Sequence, residues 1–413
     1  MPRLAFPSPE QNREFSSRFT IPIVEDVRLS LSTTLRPLLT QGSDFSFRFE
    51  QVLSAAERHV FIEGEPDNPI DLVEDWITAL KWEMDAFWII SSHANTYYPK
   101  DKRHGISLTG EHWKRSGEYI AEGIAIAFLE ARLGLSRARF AFYSPRDMKP
   151  RPDFILTPQP SDRLMVLYPG QASLGVEIRS RSRWNSIHKS DHLDLNDKKT
   201  RFGRTNQLSV YCSYGERSGR YAGCRLILGD PPGDGVIFEA EDVRNVAIRS
   251  YLDVCRRIGL WSYARVLQAR LRGQELNLEP GPDVATGAVR LVSRLAPNGS
   301  RYRGREFATF YSDAVNDIEA TEERVNIRAQ SGDLGTIVFR GVNTDVLDLI
   351  ESQDWDGLVR FYDPASAEVH EGRTITGDGT YRETSRVTQD SAEAMEIVRF
   401  TLAEVRRRRL GSI

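Results

Sequence analysis

Arg151-Pro152-Asp153-Phe154-Ile155-Leu156 and Gly175-Val176-Glu177-Ile178-Arg179 are two short apolar runs, and each holds a carboxylate that an ordinary core strand would not carry. In a strand, alternate side chains share a face. Val176 and Ile178 therefore point one way, and Glu177 and Arg179 the other. In the first run Phe154 and Leu156 can pack while Asp153 faces away from them. Side by side in one sheet, the two strands bring Asp153 and Glu177 to one edge of a cleft. Close carboxylates repel, and a divalent cation held by oxygen ligands relieves the repulsion.

The flanking sequence frames these runs as strands. Residues 140–143 read as a preceding strand and 164–168 as one between the two runs, with turns at Ser144-Pro145, Pro158-Gln159-Pro160 and Pro169-Gly170. Upstream, Trp113, Gly117, Ile120, Ile124, Phe128 and Ala131 form one stripe of a helix over about 110–133. Glu118 and Glu122 lie on its other side, with Leu129 next in their stripe. Downstream, Gln207, Leu208, Tyr211 and Tyr214 suggest a helix over 195–214, which Gly203 weakens, before a closing strand at 221–228.

Pro152-Asp153, a turn-containing stretch, and then Glu177-Ile178-Arg179 resemble the bipartite motif of the PD-(D/E)xK nuclease superfamily, over roughly residues 109–214. The resemblance implies an α/β fold, a restriction-endonuclease-like mixed sheet flanked by helices. It also implies Mg²⁺-dependent phosphodiester cleavage, with Asp153, Glu177 and the main-chain carbonyl of Ile178 as metal ligands. Glu118 or Glu122, on the helix before the first core strand, would add a further acid, and Gln207 a supporting polar group. Mn²⁺ would also serve, since carboxylates and carbonyls suit hard cations. The third motif position is usually lysine, and here it is Arg179. Arginine stays charged and cannot act as a general base, though it can stabilise a pentacovalent phosphate. Three alternatives stay open: Arg179 acts electrostatically, Lys198 or Lys199 supplies the missing group, or catalysis is lost.

Basic residues crowd the same stretch: Arg179, Arg181, Arg183, Lys189, Lys198, Lys199, Arg201 and Arg204, with Trp184 and Phe202 interleaved. Asp191, Asp194 and Asp197 offset them in part. Such a surface attracts a phosphate backbone in a salt-dependent way. The expected function is a metal-dependent endodeoxyribonuclease of restriction or phage-defence type, with RNA not excluded as substrate. A second copy of the chain or a defence-system protein is a candidate partner. The alternative is a catalytically inactive nuclease-like fold serving as a nucleic-acid-binding or scaffold subunit.

Composition sets the outer bounds. With 413 residues and a net charge of −3, the chain is large enough for two or three domains and is no polycation. Its three cysteines, Cys212, Cys224 and Cys255, suit neither a disulfide framework nor a zinc knuckle, so a reducing cytoplasm is the simplest setting. No stretch approaches the ~18 apolar residues of a membrane span, and no signal peptide is expected. The expected organisation is a mainly helical region over 1–105, with its clearest helix at 69–93, and a nuclease-like domain over 106–274. The latter ends in helices over 241–273 broken near Gly259. A Pro- and Gly-rich linker at 275–287 leads to an α+β accessory domain over 288–413. There, 289–295, 336–340 and 358–362 read as β-like, and 345–350 and 391–408 as helical.

Overall fold

The structure, a computed structural model, describes residues 18–26, 29, 31, 33, 35–56, 110–142, 154–156, 174–181, 206–217, 220–229, 240–274, 291–309, 336–363, 365, 367–370 and 372–386. Seven strands form one mixed sheet. They are β1 (Arg18–Glu25), β2 (Asp44–Arg48), β3 (Phe140–Phe142), β4 (Phe154–Leu156), β5 (Leu174–Arg181), β6 (Asn206–Arg217) and β7 (Arg220–Gly229), in the order β2-β1-β7-β6-β5-β4-β3. β3, β4 and β5 make an antiparallel meander, and β5 then runs parallel to β6. β7 returns antiparallel to β6, β1 joins β7 in parallel, and β2 closes that edge antiparallel to β1.

One face of this sheet is closed by a helix with the expected bounds, α3 (Gly110–Leu133). Ala121, Ile124, Ala125 and Phe128 share a core with Val176 and Ile178 of β5, Leu208, Val210 and Cys212 of β6, and Leu226 and Leu228 of β7. Fully burying each large apolar side chain here is worth about 1.5–3 kcal/mol. The sheet-facing stripe is turned slightly from the one the sequence suggests, and Ala131 is exposed. Helix α2 (Phe49–Ala56), which follows the short α1 (Arg36–Leu39), packs on α3 where Gly123 allows close approach: a Cβ there would lie 2.3 Å from the Val52 carbonyl oxygen. Arg137, only 3% exposed, locks the junction by donating to Glu130 at 2.7 Å, to Ser54 Oγ at 2.7 Å and to the Gln51 carbonyl at 3.2 Å.

Two expectations are corrected here. The mainly helical character expected of 1–105 does not extend to 18–25 and 44–48, which are strands of the main sheet. Phe19 and Ile21, like Phe45 and Phe47, alternate with exposed residues, and that period of two sets a strand. The helix expected over 195–214 is also overturned from 206 onward, because 206–217 is β6. Leu208, Val210 and Cys212 face α3 while Tyr211 packs with Leu29 and Ile227 on the other face. A strand buried on both faces lacks clean alternation, so its tyrosines mimic helical spacing. The expected segments 69–93, 164–168, 195–205, 275–287 and 391–408 lie outside the described residues.

Helices α4 (Ala240–Ile258) and α5 (Trp261–Leu271) break at Gly259, whose φ is 74°. They share a second core with α6 (Thr344–Glu351) and α7 (Trp355–Arg360). This core lies against an all-antiparallel six-stranded sheet of β8 (Leu291–Leu295), β9 (Arg301–Thr309), β10 (Thr336–Asn343), β11 (Glu368–His370), β12 (Arg373–Ile375) and β13 (Thr380–Arg386), in the order β11-β12-β13-β10-β9-β8. Residues 358–362, expected as β-like, instead close α7, which Asp354 caps by accepting from the Gly357 N–H at 2.8 Å. The far face of this sheet packs Ala296, Tyr302, Phe339, Ile375 and Tyr381 under Arg294, which pairs with Glu306 and Glu383. No helix among the described residues is long and apolar enough to cross a membrane.

Candidate functional site

β5 carries Glu177 with none of its surface exposed. Its neighbours Val176 and Ile178 enter the core beneath α3, so alternation turns Glu177 to the opposite face of the sheet. A carboxylate taken out of water costs several kcal/mol before charge or hydrogen bonding compensates it, so packing alone selects against glutamate here. In the parallel register Glu177 stands beside Ser209 of β6, Gly175 beside Gln207, and Arg179 beside Tyr211. On the other side, β4 pairs Phe154 with Val176 and Ile155 with Gly175. Pairing with β4 ends there among the described residues, whereas β5 runs on along β6 to Arg181.

The remaining expected site residues divide into three groups. Asp153, Arg183, Lys189, Lys198, Lys199, Arg201 and Arg204 lie outside the described residues. Arg179 and Arg181 occupy β5, and Gln207 sits on β6 instead of on the expected helix. Glu118 and Glu122 are on α3, the first exposed and the second half-buried. That helix packs against the face carrying Val176 and Ile178, opposite the face to which Glu177 turns. Accordingly Glu118, Glu122 and Glu177 do not gather, and among the described residues no three His, Cys, Asp or Glu side chains are grouped to hold a metal ion.

No family model, curated protein or solved structure matches this chain. Only the chain's own geometry therefore bears on function. It also contains a constellation absent from the sequence reading: Arg257, Arg305, Arg340 and Arg382, all at most 8% exposed, come from four separate elements. Their sequence signal is faint, being arginines inside apolar strand patterns such as Val338-Phe339-Arg340-Gly341-Val342. Strand pairing makes neighbours of Arg305, Arg340 and Arg382, and the packing of α4 on the sheet adds Arg257.

Proposed function

We propose that the chain is a metal-dependent endonuclease hydrolysing DNA phosphodiester bonds, with Asp153 and Glu177 as its acidic pair. The observation that carries this reading is the β4–β5 register. Phe154 is opposite Val176, and continuing the register by one residue would set Asp153 opposite Glu177. Directly opposed residues on antiparallel strands have Cβ atoms about 4.5–5.5 Å apart, within reach of one shared ion. The chain order of α3, an antiparallel meander and then a strand parallel to its last member agrees with the helix-flanked mixed sheet that the PD-(D/E)xK resemblance implies.

Two carboxylates and the Ile178 carbonyl are hard oxygen donors that fit Mg²⁺ or Mn²⁺. A bound ion of this kind supplies charge neutralisation at the phosphate and an acidified water. Glu177, wholly buried, is screened little by solvent, which strengthens its hold on a cation. Arg179, two positions after Glu177, would meet negative charge developing on the phosphate without taking a proton. Lys198 or Lys199 would orient the attacking water. Arg181, Arg183, Lys189, Arg201 and Arg204 would grip the backbone phosphates, so that binding weakens as salt rises.

The test incubates supercoiled plasmid, and labelled RNA in parallel, with the full chain in Mg²⁺, Mn²⁺ or EDTA. DNA cleavage is expected with either ion and not with EDTA. Asp153→Asn and Glu177→Gln should each slow cleavage by about a hundredfold or more while leaving DNA binding intact. Cleavage that survives both substitutions refutes the acidic pair. Binding without cleavage by the parent chain under every condition would leave a nucleic-acid-binding subunit in place of a nuclease.

A further inference from the structure

Besides packing on α3, helix α2 touches the second sheet at β12. At that seam Glu50, in the first turn of α2, is 4% exposed. Its Oε1 accepts from the Gly372 N–H at a long 3.5 Å. Its Oε2 is sealed from solvent with no hydrogen-bond partner among the described residues. A carboxylate held this way lacks the donors that would offset its dehydration, so the seam accommodates the neutral acid better than the anion.

The partner across the seam is built to move. Gly372 lies in the turn between β11 and β12, and it ties two elements together: its carbonyl accepts from the Thr384 N–H of β13 at 2.6 Å while its own N–H is aimed at Glu50. β11 and β12 are three residues each, and β11, at the sheet's border, pairs with β12 alone among the described residues. Short elements with so few bonds open locally at far lower cost than the whole chain unfolds. Nor is the seam solidly packed. A recess of about 50 Å³, large enough for water, separates Ser54 of α2 from Val254 and Ile258 of α4 and Tyr381 of β13.

The charges around Glu50 do not reverse its preference. Its own main-chain N–H, the Gly372 N–H, Arg382 of β13 and Arg48 at the end of β2 all favour the anion, yet burial outweighs them and holds the pKa at about 7. On the hairpin, Arg373 and His370 both pair with Glu368. On α3, which covers another side of α2, stand Glu118, Glu122 and Glu130, the last paired with Arg137.

We propose that α2 and the β11–β12 hairpin form a proton-operated latch, shut while Glu50 keeps its proton and released when that carboxyl ionises. The latch is independent of the nuclease reading. Below about pH 4.5 Glu50 is protonated whether the seam is shut or open, and the latch is at its tightest. As the pH rises, the open form gives up the proton first and gains population, until the shut form also ionises near pH 7. With an ordinary 4.5 in the open form and about 7 in the shut one, opening is about tenfold more favourable at pH 8 than at pH 6.

Hydrogen–deuterium exchange of the full chain at pH 6, 7 and 8, corrected for the intrinsic rate at each pH and read by mass spectrometry, tests the proposal. Peptides spanning the β11–β12 hairpin should exchange faster than peptides of α3 at every pH, which marks a local opening. Their protection should fall about tenfold from pH 6 to pH 8 in the parent chain and stay level in Glu50→Gln. Hairpin exchange no faster than that of α3 overturns the proposal, because the seam then opens only when the whole chain unfolds. An equal fall in parent and variant also overturns it, by removing Glu50 as the trigger. Should Glu50→Gln not fold, Glu50→Met takes its place, since it too has no proton to release.

Discussion

Replacing Glu50 with glutamine isolates the cost of a carboxyl group held where α2 meets the second sheet. Glu50 is 4% exposed, and burial pushes its pKa from the ordinary 4.5 to about 7. The Gly372 N–H and the charges of Arg382 and Arg48 pull in the opposite direction without prevailing. Below about pH 4.5 the group is protonated in both the folded and the unfolded chain, and its ionisation costs nothing. As the pH rises, the unfolded chain releases the proton first, so stability falls steadily until the folded group also ionises near pH 7. At 1.36 kcal/mol per pKa unit, the full loss is on the order of 3 kcal/mol, and the part falling between pH 5.5 and 8 is about 2 kcal/mol. Glutamine keeps an acceptor for the Gly372 N–H and cannot ionise. Urea unfolding of parent and Glu50→Gln chains at pH 5.5, 7 and 8 should therefore show the variant gaining on the parent by about 2 kcal/mol across that range. A gap that stays constant, or narrows as the pH rises, would show that Glu50 is not held protonated by burial.

Two other substitutions probe the junction beneath the main sheet. Gly123→Ala would drive a methyl group to 2.3 Å from the Val52 carbonyl oxygen and 2.8 Å from Val52 Cγ1. It should lower stability by about 1–3 kcal/mol, read as a fall in the urea midpoint, and an unchanged midpoint would mean that α2 and α3 are not in tight contact. Arg137→Met strands Glu130 and the Gln51 carbonyl together, and because the guanidinium is almost fully buried the loss should approach about 3 kcal/mol. Far-ultraviolet circular dichroism melts would register it, and a loss under ~0.5 kcal/mol would mean that the bond network is not formed in solution.

Local signals in the sequence were sufficient for some elements and blind to others. Helix α3 is legible because its apolar stripe repeats every three or four residues over 24 positions. Glu177 between Val176 and Ile178 is legible for the same reason, since alternation alone fixes which side it takes. β6 misleads because both of its faces are buried, so Tyr211 and Tyr214 fall at spacings that a helix would also produce. β1 and β2 do carry a local alternation of two, but the place of β1 in the sheet is hidden by distance: it pairs with β7 through Ile23–Leu226, Val24–Ile227 and Glu25–Leu228, some two hundred positions away in the chain. The arginine row is the extreme case. Nothing local distinguishes Arg305, Arg340 and Arg382 from surface arginines until three strands are brought into register. Glu118 and Glu122 show the converse, because their proximity in sequence to the core strands says nothing about which side of the sheet their helix covers.

The way β1 docks on β7 bears on how this protein can be dissected. A truncation beginning near residue 106, drawn to isolate the middle of the chain, would strip away both outer strands and α2. It would leave the amide and carbonyl groups of β7 that point toward β1, at alternate residues along Leu226–Leu228, facing solvent along a raw border. Such borders recruit strands from other molecules. An insoluble fragment from that cut would thus report a missing neighbour, and would say nothing against the chemistry of the part retained.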